Sequence, residues 1–235
     1  MKRTIAALLS VVALAGAATA TPALAGTLNW DFYSLTGSPA QPGVALGTTQ
    51  TFYQGGFSLF AESATSPGCS VSMSSCDWSP GFAQLYAKNG GSADEQGLGL
   101  TGDPSGDHEI YYPNGIYLNL SEAGGHATSV MIGSIQGSST NGESWAVYGS
   151  NNGSSWTLLG HGMGGMTADF NAASLGGYNQ LIVSDPSGTP YTNSNDVVLM
   201  SITTSSVPEP GTLALFAAGL LGCVLFVSRR RARQE

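Results

Sequence analysis

Apolar side chains recur at every second position in run after run of this chain, and a repeat near 3.6 residues is nearly absent. Leu28, Trp30 and Phe32 alternate with Asn29, Asp31 and Tyr33. Phe57, Leu59 and Ala61 repeat the pattern, as do Ile116, Leu118 and Leu120, then Val130 and Ile132, then Leu181 and Val183. Further on, Val197, Leu199 and Ser201 oppose Val198, Met200 and Ile202. Side chains of a strand point alternately to the two faces of a sheet, so this period predicts half-buried β-strands. Turn residues separate the runs: Gly55-Gly56, Asn89-Gly90-Gly91, Pro113-Asn114-Gly115, Gly124-Gly125, Asn141-Gly142, Asn152-Gly153 and Gly176-Gly177. About nine or ten short strands in one domain predict an all-β fold, an antiparallel β-sandwich of the jelly-roll kind.

Both ends of the chain depart from this pattern. Met1 to Ala25 reads as a signal peptide, with Lys2 and Arg3 at its charged start, an apolar run from Ile5 to Ala18, and Ala23-Leu24-Ala25 as the small-residue cleavage site. At the other end, Val207-Pro208-Glu209-Pro210 is followed by an apolar stretch from Gly211 to Val227, then Ser228, and then Arg229, Arg230, Arg231, Ala232 and Arg233. As a helix that stretch covers about 26 Å at about 1.5 Å per residue, close to the roughly 30 Å of a bilayer core. The arginines resist translocation and would hold the C-terminus inside the cell. Pro208 and Pro210 lack backbone donors and push Val207 and Glu209 toward extended conformations, which presents the tetrapeptide as an open strand. The reading is a signal peptide over 1–25, an ectodomain over 26–206, and an anchor segment over 207–235 with its single transmembrane helix at 211–228 and a basic tail at 229–235.

The tetrapeptide, the apolar helix and the arginine cluster, in that order, resemble the PEP-CTERM sorting signal of Gram-negative bacteria that make exopolysaccharide. That resemblance implies processing by an exosortase, a membrane cysteine protease or transpeptidase, followed by surface attachment or release. Gly97-Leu98-Gly99-Leu100, Asp107-His108-Glu109-Ile110 and Gly115-Ile116-Tyr117-Leu118-Asn119-Leu120 are similar to runs in many PEP-CTERM ectodomains, although those commonly carry another acid where this chain has Tyr111.

Charge is distributed unevenly. Of seven basic residues, only Lys88 lies between the two end segments, against thirteen carboxylates from Asp31 to Asp196, a net charge of −12. Nucleic acid is excluded as a partner, since phosphate binding needs clustered Lys and Arg. In an exported chain Cys69 and Cys76 are expected to form a disulfide; Cys223 lies in the apolar tail.

Ser144 to Tyr148 and Trp156 to Leu159, joined across Gly149 to Ser155, read as a hairpin. Its Tyr148-Gly149-Ser150-Asn151-Asn152-Gly153-Ser154-Ser155-Trp156 run resembles the hairpin of discoidin-type, galactose-binding-like sandwiches, which bears on fold more than on a binding site. Trp145, Tyr148 and Trp156 either pack inward as core or form a sugar-stacking platform; hairpin alternation favours packing. Asp94, Glu95, Asp103, Asp107 and Glu109 cluster on a Gly- and Pro-rich stretch. They read as a solvated acidic loop or as a Ca²⁺ site, with Asp103, Asp107 and Glu109 as its candidate ligands. Gly160-His161-Gly162-Met163-Gly164-Gly165 fits G-x-G-x-x-G in form. Without room for a crossover helix it reads as a flexible inter-strand loop, not a dinucleotide site. No G-x-S-x-G elbow is present, and His108, His126 and His161 stand apart.

The expectation is therefore an exported, exosortase-sorted, non-enzymatic surface or matrix protein, associated with exopolysaccharide and biofilm and held by the membrane before processing. The alternative is a glycan-active hydrolase on the same anchor, with paired carboxylates set by the fold.

Overall fold

The computed structural model describes residues 26–35, 43–70, 72–138, 142–171, 173–186 and 196–206, together with Gly219. The signal peptide, the Val207-Pro208-Glu209-Pro210 tetrapeptide, the apolar tail and the arginine cluster lie outside the described residues. Among the described residues no helix is long and apolar enough to cross a membrane.

The first strands are β1 (Thr27–Asp31), β2 (Val44–Gly47), β3 (Thr49–Gln54), β4 (Phe57–Thr65), β5 (Ser75–Cys76) and β6 (Ser79–Pro80). They are followed by β7 (Leu85–Asn89), β8 (Gln96–Leu100), β9 (Ile110–Tyr111), β10 (Asn114–Asn119) and β11 (Gly125–Gly133). Last come β12 (Ser144–Ser150), β13 (Trp156–Met163), β14 (Thr167–Phe170), β15 (Gln180–Ser184) and β16 (Asp196–Ser206). One sheet runs β14-β11-β16-β8-β7-β2, with β1 and β9 also on β16. The other runs β3-β4-β10-β15-β12-β13-β5, with β6 on β4. Every pairing in both is antiparallel.

The alternation of the sequence builds the interior. Trp30, Leu85, Leu98, Leu100, Val130, Ile132, Val197 and Leu199 of the first sheet meet Leu59, Ala61, Ile116, Leu118, Val147, Leu181 and Val183 of the second in one buried cluster. This is an antiparallel β-sandwich, stabilised by the apolar area that the two inner faces withdraw from water. Among the polar groups carried inside, the Trp30 indole N–H donates to Thr204 Oγ1 at 3.0 Å, and the Thr204 hydroxyl donates to the Ala123 carbonyl at 2.5 Å. Tight turns follow their residues, as at Gly55 and Gly56, whose φ of 59° and 86° close the β3–β4 hairpin in two residues.

The strict alternation breaks at bulges, one of which falls in β16. Met131 faces Ser201 while Ile132 faces Leu199, so β16 steps past Met200 in a bulge. The bulge switches parity, and Ile202, not Ser201, turns into the core with Val197 and Leu199.

The outer face of the second sheet is covered too. Cys69 and Cys76 are joined by a disulfide with Cα atoms 5.4 Å apart. They pack with Ala146, Tyr148, Trp156 and Ile182, and Trp78 lies against this smaller cluster.

On the outer face of the first sheet, glycines let other segments lie flat on the strands. A Cβ on Gly99 would stand 1.9 Å from the His108 carbonyl oxygen, and one on Gly133 would stand 2.1 Å from that of Asp94. The Gly97-Leu98-Gly99-Leu100 run therefore sends leucines inward and leaves a bare track outward, over which the loop of Thr101 to Glu109 returns. Gly99→Ala is expected to cost about 1–3 kcal/mol, because the clash is with backbone that has no rotamer to change. Gly91→Ala, whose Cβ would meet nothing within 4 Å, is the control and should stay within about 0.5 kcal/mol. Urea unfolding of the two variants checks this, and equal midpoints would show that the loop does not rest on β8.

Candidate functional site

The acidic loop is held by its own carboxylates. Asp103 Oδ1 accepts the Ser105 N–H at 3.0 Å, and its Oδ2 accepts the Asp107 N–H at 3.2 Å and contacts the Ser105 hydroxyl. Ser105 Oγ also lies 3.0 Å from Asp196 Oδ2. Glu109, buried, accepts from Lys88 Nζ, while Asp107 is exposed and Glu95 accepts the Gly91 N–H at 3.1 Å. The three candidate calcium ligands are thus put to different uses: Asp103 caps the turn, Glu109 neutralises the lysine, and Asp107 faces solvent. Among the described residues no three His, Cys, Asp or Glu side chains are placed to hold a metal ion.

The three aromatic side chains of the β12–β13 hairpin pack inward. Trp145 packs against Phe170 with ring centroids 5.6 Å apart, and both Tyr148 and Trp156 are buried. Tyr148 donates its hydroxyl to the Cys69 sulfur at 3.0 Å, and burial pushes that phenol up to about 12. Trp156 donates its indole N–H to the Gly153 carbonyl at 3.2 Å and meets Tyr117 edge-on. None of the three rings presents a face to a sugar. The Gly160-His161-Gly162-Met163 run, expected as a loop, lies in β13, because its glycines take the Phe170 and Trp145 rings: a Cβ at Gly160 would be 2.4 Å from the Phe170 ring, and one at Gly162 would be 2.7 Å from Trp145.

Two groupings were not visible in the sequence. In the first, three carboxyl groups from strand ends are buried near one another: Glu143 just before β12, Asp185 just after β15, and Asp196 opening β16. Asp185 accepts the Ser144 hydroxyl at 3.0 Å and the Tyr112 N–H at 3.2 Å, and Glu143 accepts the Gln136 N–H at 2.5 Å. Burial outweighs these donors and raises all three: Asp185 to about 7, Asp196 to about 6 and Glu143 to about 8, the last two hydrogen-bonded to each other. In contact with each other, these two carboxyl groups titrate as one coupled pair. Each acid flanks an apolar run, which is the trace it leaves in the sequence, but a strand-end acid ordinarily faces water.

The second grouping is a cleft of about 370 Å³ where the loop of residues 106–109 meets the turn of residues 89–91 and the segment Ser134 to Gln136. Lys88 and Glu109 line it together, and desolvation lowers the lysine's pKa. Tyr86 and His108 stack there with ring centroids 4.0 Å apart. His108 Nδ1 is buried without a hydrogen-bond partner among the described residues. His108, at φ 63°, and Ser134, at φ 56°, are the two non-glycine residues with positive φ among the described residues, and both line this cleft.

The sorting segment begins where the sandwich ends. Residues 206–231 match the family model of the PEP-CTERM protein-sorting motif, and Ser206 is the last residue of β16. The chain carries a PEP-CTERM sorting signal. It is accordingly an exosortase-sorted exported protein, anchored in the membrane before processing and then delivered to the surface. No curated protein and no solved structure matches this PEP-CTERM chain, so the discoidin-type likeness of the β12–β13 hairpin rests on the hairpin alone.

Proposed function

We propose that this PEP-CTERM protein is a non-enzymatic component of the cell surface or extracellular matrix that associates with exopolysaccharide in the biofilm, reaching its site through a cleaved signal peptide. The observation that carries the reading is the sorting motif at residues 206–231, which follows in sequence the last strand of a disulfide-bridged β-sandwich. The disposition of the acids supports a binding role over hydrolysis. Glycoside cleavage takes two carboxyl groups facing the substrate about 5–9.5 Å apart. Here Glu143, Asp185 and Asp196 are buried and Glu109 is spent on Lys88, so that of the acids the fold gathers only Glu95, which caps the Gly91 amide, and exposed Asp107 face open space.

Deleting Val207 to Glu235 is the test. The truncated protein is expected to leave the surface fraction and appear free in the medium or periplasm, and the full chain is expected to co-sediment with the polysaccharide of the producing cells without releasing reducing ends. Unchanged distribution of the truncated protein, or reducing-end release, would overturn the proposal.

A further inference from the structure

We infer that the cleft beside Tyr86 and His108 is a binding site for a neutral saccharide, and that this is where the protein holds polysaccharide. The inference rests on the polysaccharide association proposed above and gives it an address on the fold.

Several independent features meet at this place. Left-handed backbone is costly for any residue with a Cβ, and glycine or asparagine would take it at less cost. Yet His108 and Ser134 both adopt it, both on the rim of the same cleft. Strain of this kind persists where the surroundings impose it, and it gathers at ligand sites. At His108 the consequence is concrete: the turn lays the imidazole on the Tyr86 ring and leaves Nδ1 in the interior with no partner among the described residues. Lys88, the sole basic residue between Gly26 and Ser206, is brought to the same spot.

Charge and shape select the ligand. Lys88 is already neutralised by Glu109, so the carboxylates of Glu95 and Asp107 leave the cleft negative. Phosphates, sulfates and uronates are repelled by such a site. A neutral polyhydroxyl chain suits it: hydroxyls donate to carboxylates, which makes strong hydrogen bonds, while the Asn89 and Gln136 amides both donate and accept. Gly91 and Gly106, each with nothing within 4 Å of where a Cβ would stand, bring bare backbone to the rim, where a ring can approach closely. The stacked imidazole and phenol supply the apolar edge for the C–H face of a pyranose. At about 370 Å³ the cleft lies at the low end of the usual range of about 300–1,000 Å³ for ligand sites, which suits a short stretch of chain.

The test is affinity electrophoresis of the processed protein, isolated from the cell surface, in native gels containing dextran, galactomannan, polygalacturonate or the polysaccharide of the producing cells. Retardation by at least one of the neutral polymers is expected. It should weaken by about tenfold or more in Asn89→Ala/Gln136→Ala and in His108→Gly. The first variant changes two exposed side chains; the second removes the ring while relieving the left-handed backbone, so neither should lower the melting temperature by more than a few degrees. Retention of wild type with equal retention of both variants would overturn the cleft assignment and leave the polysaccharide association standing. Retention by polygalacturonate alone would overturn the ligand class. A protein that none of the polymers retards would sink this inference and the association together.

Discussion

Lys88→Met is expected to remove about 3–5 kcal/mol from the stability of the sandwich, the largest loss from any single substitution outside the apolar core. Lys88 and Glu109 are both buried and in direct contact. Burial lowers the lysine's pKa, and the carboxylates of Glu95, Asp107, Asp196 and Asp103 around it oppose that shift. Without the lysine, Glu109 must either stay ionised without a partner or take up a proton at neutral pH, and both cost free energy. The double variant Lys88→Met/Glu109→Leu removes both charges and should recover most of the loss. Denaturant midpoints for the wild type and the two variants decide the point. If Lys88→Met unfolds where the wild type does, the pair is not holding the loop against β7.

The second large effect is on pH. Thermal stability is expected to fall as pH rises from about 4 to about 8. Asp185 has a folded pKa near 7 against an ordinary 3.8, so between these values the native state binds the proton that the unfolded chain has released. Stability then declines with rising pH through this window and levels off above it. At about 1.4 kcal/mol per pKa unit, Asp185 alone is responsible for a change on the order of 4 kcal/mol. The Glu143–Asp196 pair adds to it in the same direction, extending the decline toward pH 8. The opposing influences are the Ser144 and Tyr112 donors on Asp185, and the Ser105 donor and Lys88 charge on Asp196. Asp185→Asn should flatten the profile and be no less stable than wild type at pH 8.5. Melting curves that coincide from pH 4 to pH 8 would show that folding does not raise the pKa of these acids. The two effects interact, because Lys88 holds the Asp196 pKa down and its removal should move that part of the decline to higher pH.

Much of the fold was legible because a sheet reads out its faces one residue at a time. Trp30, Leu118 and Val183 are buried where the alternation put them. The reading failed where a bulge intervened, since the step at Met200 sends Ile202 inward and no local residue type announces it. It failed differently at Gly160 and Gly162, where glycine means a ring packed on a strand and not a turn, a fact set by Phe170 and Trp145 in other elements. For the candidate site the sequence revealed ingredients without their arrangement. A cluster of acids from Asp94 to Glu109 was visible, but whether such acids coordinate an ion, cap a turn or pair with a lysine depends on what lies opposite. The cleft itself draws Gln136 and Tyr86 beside His108, a juxtaposition made by three separate loops and strands.

The seclusion of Lys88 has a consequence for life outside the cell. Proteases of the trypsin type cut after lysine or arginine, and between Gly26 and Ser206 the chain has a single such bond, sealed under the acidic loop. Scission there must wait for the strand to open, so at a given level of enzyme its rate is set by how readily the fold gives way. A folded domain of this composition endures among secreted digestive enzymes that would fragment a lysine-studded neighbour.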